Sequence, residues 1–254
     1  MSRLRQLPWL RIYAEGAAIV VSILLAFWIQ AWWDSRQERI DERAALTSLL
    51  REFRELKATH EWSVKYNLAI RNSIRDLTNA AVGPENTLKD QDIDRLVADL
   101  YWNQDLSQWA APVLSTVVST GDLELITNST LRRKIGEWPI RLEAVRGVLQ
   151  RDLDYFNDHQ MPLLAETMSL AQIANADDGT PGHPADLYDG GRQIKLRSLE
   201  SHMDVLATRA FQNMLVQRDT WITDILSLAF DGIPENLDET IALLEQELAK
   251  FADR

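Results

Sequence analysis

From Gly16 to Gly83 the chain contains no intervening glycine or proline. The first part, Ile12 to Trp33, is apolar with two interruptions, Glu15 and Gln30. As a helix those 22 residues span roughly 33 Å, close to the hydrocarbon thickness of a bilayer. Further on, Leu49, Phe53, Leu56, His60, Ile70, Ile74 and Leu77 fall mostly at three- and four-residue steps and mark one apolar face. The pattern predicts a transmembrane helix continuous with a long stalk helix ending near Ala81. Gly83-Pro84-Glu85-Asn86 then reads as a turn.

Helical periods continue to the end of the chain. Asp90 and Asp92 suit the start of a helix whose face is Ile93, Leu96, Val97 and Leu100. A short helix over Ala111 to Thr120 has Pro112 in its first turn and Gly121 at the left-handed closing position. Asn128 or Ser129 caps a helix starting near Thr130, and Pro139 predicts a kink or break near Trp138. Residues 174–193 are polar, rich in glycine and proline, and without period, which predicts a flexible loop. Period returns from Leu196 to Ala229, and Pro234 starts a last amphipathic helix. No strand pairs or hairpin dipeptides occur. The expected fold is all-α: a transmembrane helix over 12–33, then a helical domain over 34–254 arranged as an antiparallel bundle.

Aromatic side chains flank the apolar segment. Trp9 and Tyr13 stand at one end and Trp28, Trp32 and Trp33 at the other, the placement expected at headgroup level. Arg11 and Glu15 are one turn apart and can neutralise each other at the interface. The segment is long for a signal-peptide core, and its end lacks the small residues a signal peptidase needs, so an uncleaved anchor is expected. Arginines are balanced across the segment: Arg3, Arg5 and Arg11 against Arg36, Arg39, Arg43 and Arg51. A short arginine-bearing tail (residues 1–11) resists translocation, whereas large C-terminal domains cross regardless of charge. A cytoplasmic N-terminus and a periplasmic main domain at a bacterial inner membrane follow as the expected topology. Ala14, Ala18, Ser22, Ala26 and Gln30 recur every fourth residue and share a face. That row is either the ordinary abundance of alanine in anchors or a packing seam for a second copy or another membrane protein, with Gln30 hydrogen-bonding across it.

Charge narrows the partners. The chain carries −11 overall, but only Arg3, Arg5, Arg11 and Glu15 ionise before Asp34. The remainder holds 24 basic and 37 acidic residues, a net of −13, which repels nucleic acid. There is no cysteine, hence no disulfide framework and no thiolate zinc site.

The residues Leu114-Ser115-Thr116-Val117-Val118-Ser119-Thr120-Gly121-Asp122-Leu123-Glu124-Leu125-Ile126-Thr127-Asn128, then Leu131-Arg132 and Ile135, form a recognisable block. It resembles a motif of an uncharacterised bacterial family of single-pass membrane proteins, a domain of unknown function. Members carry an N-terminal anchor with an early glutamate and a Trp-rich exit. Glu15, Ile23-Leu24-Leu25-Ala26-Phe27 and Gln30-Ala31-Trp32-Trp33 match that pattern. The likeness covers about the first two-thirds of the chain. It departs at Ser22, where members often have glycine, and at Trp138-Pro139, where they have an aromatic pair. The resemblance implies an anchor and a helical extracytoplasmic domain, and no activity.

Catalytic and ligand chemistry is sparse. His60, His159, His183 and His202 have no helical metal-pair spacing and read as ordinary surface or partly buried histidines. Asp177-Asp178-Gly179 and Asp186 with Asp189-Gly190 do not fit a calcium loop. No phosphate loop, nucleophile elbow or paired general acid and base stands out. No cofactor, metal or catalytic residue is therefore expected. The pattern favours a membrane-anchored interaction or scaffold protein. A ligand-sensing bundle acting through a membrane partner is the second reading, and a hydrolase assembled from distant residues the third.

Overall fold

The computed structural model describes residues 8–82, 88–101, 104–176 and 202–252. Among them there are helices and no strands. The first helix, α1 (Pro8–Val82), is unbroken for 75 residues, a rod of roughly 110 Å. From Glu15 to Asp41 every residue is exposed, and Glu42 is the first buried one. From there Leu46, Leu49, Phe53, Leu56, Ile70, Ile74 and Leu77 line the core at helical spacing. One helix therefore has two surroundings, bare below Glu42 and packed above it.

The remaining elements return along the packed half of α1. α2 (Asp90–Tyr101), a 3-10 turn (Leu106–Trp109), α3 (Pro112–Thr120) and a second 3-10 turn (Asp122–Leu125) form a descending leg. Its register on α1 is marked by Ser73 donating to Asp99, by the His60–Trp109 ring contact, and by contacts to Glu52 and Glu42. α4 (Ser129–Tyr155), a π turn (Phe156–Gln160) and α5 (Met161–Thr167) ascend again, followed by α6 (Leu170–Asn175). Beyond residues 177–201, α7 (His202–Leu206), α8 (Arg209–Asp224), a π turn (Ile225–Ala229) and α9 (Ile233–Ala252) descend. The Arg54–Glu245 and Lys57–Asp238 ion pairs set α9 antiparallel to α1. The described helices thus make an up-down-up-down bundle with one continuous leg and three segmented ones.

Local chemistry explains the segment ends. Gly121, at φ +85°, closes α3 in the left-handed region that favours glycine. Asn128 Oδ1 accepts from the N–H groups of Thr130 and Leu131 and starts α4. Gly232, at φ +67°, turns the chain between the π turn and α9. One expectation needs correction. Helix α4 runs through Pro139 without a break, because Ile135, Trp138, Leu142 and Val145 are locked on one buried face. That packing outweighs the roughly 3 kcal/mol a helix-interior proline costs. In the stretch expected to be periodic from Leu196 to Ala229, residues up to 201 lie outside the described ones, α7 ends at Leu206, and Thr208 caps α8 by accepting from the Phe211 N–H. The expected loop at 174–193 begins inside α6, and its residues from 177 on lie outside the described residues, as does the Gly83–Asn86 turn.

Trp138 packs edge-on against Phe53 at 5.3 Å between centroids and donates its indole N–H to Thr240 at 3.0 Å. This joins three legs at one level. Higher up, Arg218 is 1% exposed and ion-paired with buried Asp152, which ties α8 to α4. Removing Asp152 takes a charged partner away from a buried guanidinium. Asp152→Ala should lower unfolding free energy by about 3–5 kcal/mol. A double apolar replacement of both residues should recover most of that loss in the same denaturant titration.

Candidate functional site

The most organised polar chemistry lies where the bare rod enters the bundle. Glu42 and Glu52 are ten positions apart on α1, both buried and both turned toward the 112–128 segment. Glu52 accepts the backbone N–H groups of Val113 at 2.8 Å and Leu114 at 2.7 Å. Those amides lie in the first turn of α3, whose N-terminus has no side-chain cap of its own, so Glu52 serves as a cap supplied by another helix. Glu42 accepts from the Thr127 N–H at 2.7 Å and from its hydroxyl at 2.8 Å. Buried Glu247 of α9 accepts from Asn128 and from Lys250. Three carboxylates from two helices therefore hold the Val113–Asn128 block against the rod.

This collar was not apparent in the sequence pattern. Glu42 and Glu52 sit among other charged residues, and only the return of the chain reveals their partners. Their ten-residue interval is about 2.8 helical turns, which sets the two side chains roughly 80° apart around the rod. The spacing therefore gave no signal that the two act together.

Outside the collar, the corner between rod and base forms a cleft of about 600 Å³. Its charged lining is Glu38, Arg39 and Glu42 from α1, Glu124 from the base turn, and Glu247 and Lys250 from α9. Nearer the apolar segment the Arg36 guanidinium lies over the Trp32 ring at 5.9 Å.

The residues expected to matter along the apolar segment all lie on the bare rod. Tyr13, Glu15, Trp28, Trp32 and Trp33 are exposed, as are Ala18, Ser22, Ala26 and Gln30. The Ser22 hydroxyl donates to the Ala18 carbonyl at 2.7 Å, and the Gln30 amide donates to Asp34 at 3.1 Å. In the single chain Gln30 thus turns its donors along the helix. The side chains of Trp9, Arg11 and Ala14, and with them the expected Arg11–Glu15 pair, lie outside the described residues.

Two histidines are buried further than expected. His202 presents Nδ1 to Asp94 Oδ1 at 3.1 Å and to the Asp90 carbonyl at 3.3 Å. Both neighbours are acceptors, so Nδ1 carries a proton. Burial pushes the Asp94 carboxyl above its ordinary range, against the pull of His202. His60 packs edge-on against Phe230 and Trp109, whose rings stack on each other, and its buried Nδ1 is unpartnered. Among the described residues no group of three or more His, Asp or Glu is placed to hold a metal ion.

No family model, curated protein or solved structure matches the chain.

Two outcomes follow from this geometry. Glu52→Ala leaves one buried and one half-buried amide without their charged acceptor and should cost about 2–4 kcal/mol in thermal or denaturant unfolding. Burial holds the His60 imidazole below its ordinary value, with Glu61 and Glu235 opposing. The unfolded chain then takes up a proton near pH 6.5 that the folded chain refuses, so stability falls as pH drops below that value. The expected slope is up to about 1.4 kcal/mol per pH unit. His60→Leu should flatten this part of the stability–pH curve relative to the unsubstituted chain.

Proposed function

We propose that the protein is a membrane-anchored helical scaffold of the bacterial cell envelope, crossing the inner membrane through residues 12–33. The bundle stands in the periplasm and the N-terminus in the cytoplasm. The observation that carries this reading is the bare rod. Ile19, Val20, Leu24, Phe27, Trp28 and Trp33 are each at least half exposed, on the one described helix long and apolar enough to cross a membrane. Contiguous apolar exposure of that extent is not tolerated on a soluble monomer. A bilayer covers it without requiring any further protein.

The resemblance of the Val113–Trp138 block and of the Trp-rich exit to an uncharacterised single-pass family supports the same arrangement. A scaffold role is favoured over ligand sensing because the bundle interior is filled by side chains from all four legs. The larger clefts open to solvent between helices. Partners are then engaged by the bundle surface or by the small-residue row Ala14, Ala18, Ser22, Ala26 and Gln30, through which a second copy or another membrane protein can pack.

A reporter that is active only outside the cytoplasm, fused after Arg254, should be active in intact cells. A matched reporter active only in the cytoplasm should be silent. The chain should also stay with the membrane fraction through alkaline carbonate and leave it only with detergent. Release by carbonate would sink the anchor, and the opposite reporter pattern would reverse the orientation.

A further inference from the structure

We propose that a second copy of this chain docks on α1, parallel and in register, along a seam running from the apolar segment into the stalk. The inference rests on the anchored-scaffold reading and deepens it by naming the partner and the face.

Ile19, Ile23, Ala26 and Gln30 follow one another at steps of four and three, and Trp33, Gln37, Ile40 and Ala44 continue the alternation. All of them are exposed. A row at every fourth residue drifts about 40° round the rod with each step, whereas this alternation drifts only about 20° in seven residues. Two gently supercoiled rods can therefore follow it along its whole length. The bilayer does not cover all of it. With Trp33 at the edge of the hydrocarbon, Ile40 stands about 10 Å further out, past a headgroup layer about 5–8 Å thick. Ile40 is nevertheless 53% exposed in the single chain.

The seam also faces away from the bundle. At the junction the buried side of α1 is Glu42, Leu46 and Leu49. Ile40 and Ala44 lie roughly 170° round the rod from it. A two-fold axis along their side leaves each bundle on the outside of the pair, so the rods meet without the bundles colliding.

Charges flanking the seam complement their own copies. In a parallel pair a residue on one flank meets the opposite flank of the other helix in its next heptad, which sets Arg36 against Asp41 of the second copy, twice by symmetry. Among the described residues neither makes an ion pair: Arg36 lies over Trp32, and Asp41 accepts from Gln37. Gln30 and Gln37 occupy the seam itself. In the single chain their amides turn along the helix to Asp34 and Asp41, and across a pair such polar positions fix register. Above Thr47 the alternation falls on Arg51 and Arg54. Like charges would then face each other, so the pairing ends where the bundle begins.

The test uses the full chain. Retention in carbonate-washed membranes is checked first, and release would overturn the membrane reading and the paired anchor together. Sedimentation equilibrium of the retained protein in mild detergent should show monomer and dimer in exchange. R36D and D41R should each raise the dimer dissociation constant about tenfold. The double substitution R36D/D41R swaps the charges and should bring it back close to the unsubstituted value. Because the chain has no cysteine, I40C and R39C can each be introduced alone. Mild oxidation should join two copies through I40C and not through R39C, which lies off the seam. A monomer at every concentration, an oligomer larger than two, a double substitution no better than the single ones, or equal crosslinking at both cysteines would each overturn the pairing while leaving the anchor intact.

Discussion

Helix α1 has to satisfy two environments along one hydrogen-bonded rod. From Glu15 to Asp41 its residues are exposed, and from Glu42 on one face is buried by the bundle. The absence of glycine and proline from 17 to 82 leaves no position at which the rod bends cheaply. Any movement of the lower half is therefore passed to the core as a rigid-body tilt. The other three legs are segmented and take their register from α1.

The carboxylate collar shows how that register is fixed. A 3-10 turn and the short helix α3 have little helical stability of their own. Glu52 neutralises the N-terminus of α3, and Glu42 fixes the strand-like exit at Thr127. Glu247 closes the ring from α9. Buried carboxylates are costly unless fully hydrogen-bonded, and here each finds two or more donors. The block that resembles a family motif is the part of the chain these carboxylates grip. Its run of small β-branched and hydroxyl residues then reads as a set of packing and capping contacts at the base. Thr127 supplies two donors, Asn128 caps α4, and Gly121 allows the turn.

Much of this architecture was legible from the sequence. The unbroken rod, the start of α2, the proline and glycine bounding α3, the Asn128 cap and the final helix after Pro234 all follow from period and cap chemistry. What escaped has common causes. The π turns and α5 follow directly on longer helices, so no cap announces them. Pro139 was read by its local cost, and the buried face around Trp138 outweighed it. Buried Ser63 and Asn67 lie on the same side of α1, where neighbours from distant segments rather than residue type decide their burial. Among the site residues, the exposed aromatic exit was readable because it depends on one helix alone. The collar was not, because it joins positions more than sixty residues apart.

The central claim is that the apolar segment and the core stalk are one straight rod. The chain has no cysteine, so single cysteines at Ala31 and Glu55 can carry spin labels without background. Both positions are exposed and lie on opposite sides of the junction at Glu42. Pulsed electron–electron distance measurement on the full chain, diluted with unlabelled chain, in nanodiscs should give one narrow distribution centred near ~36 Å, the helical rise over the interval. A broad distribution, or one shortened by about 10 Å or more, would place a hinge between membrane and bundle and contradict the account.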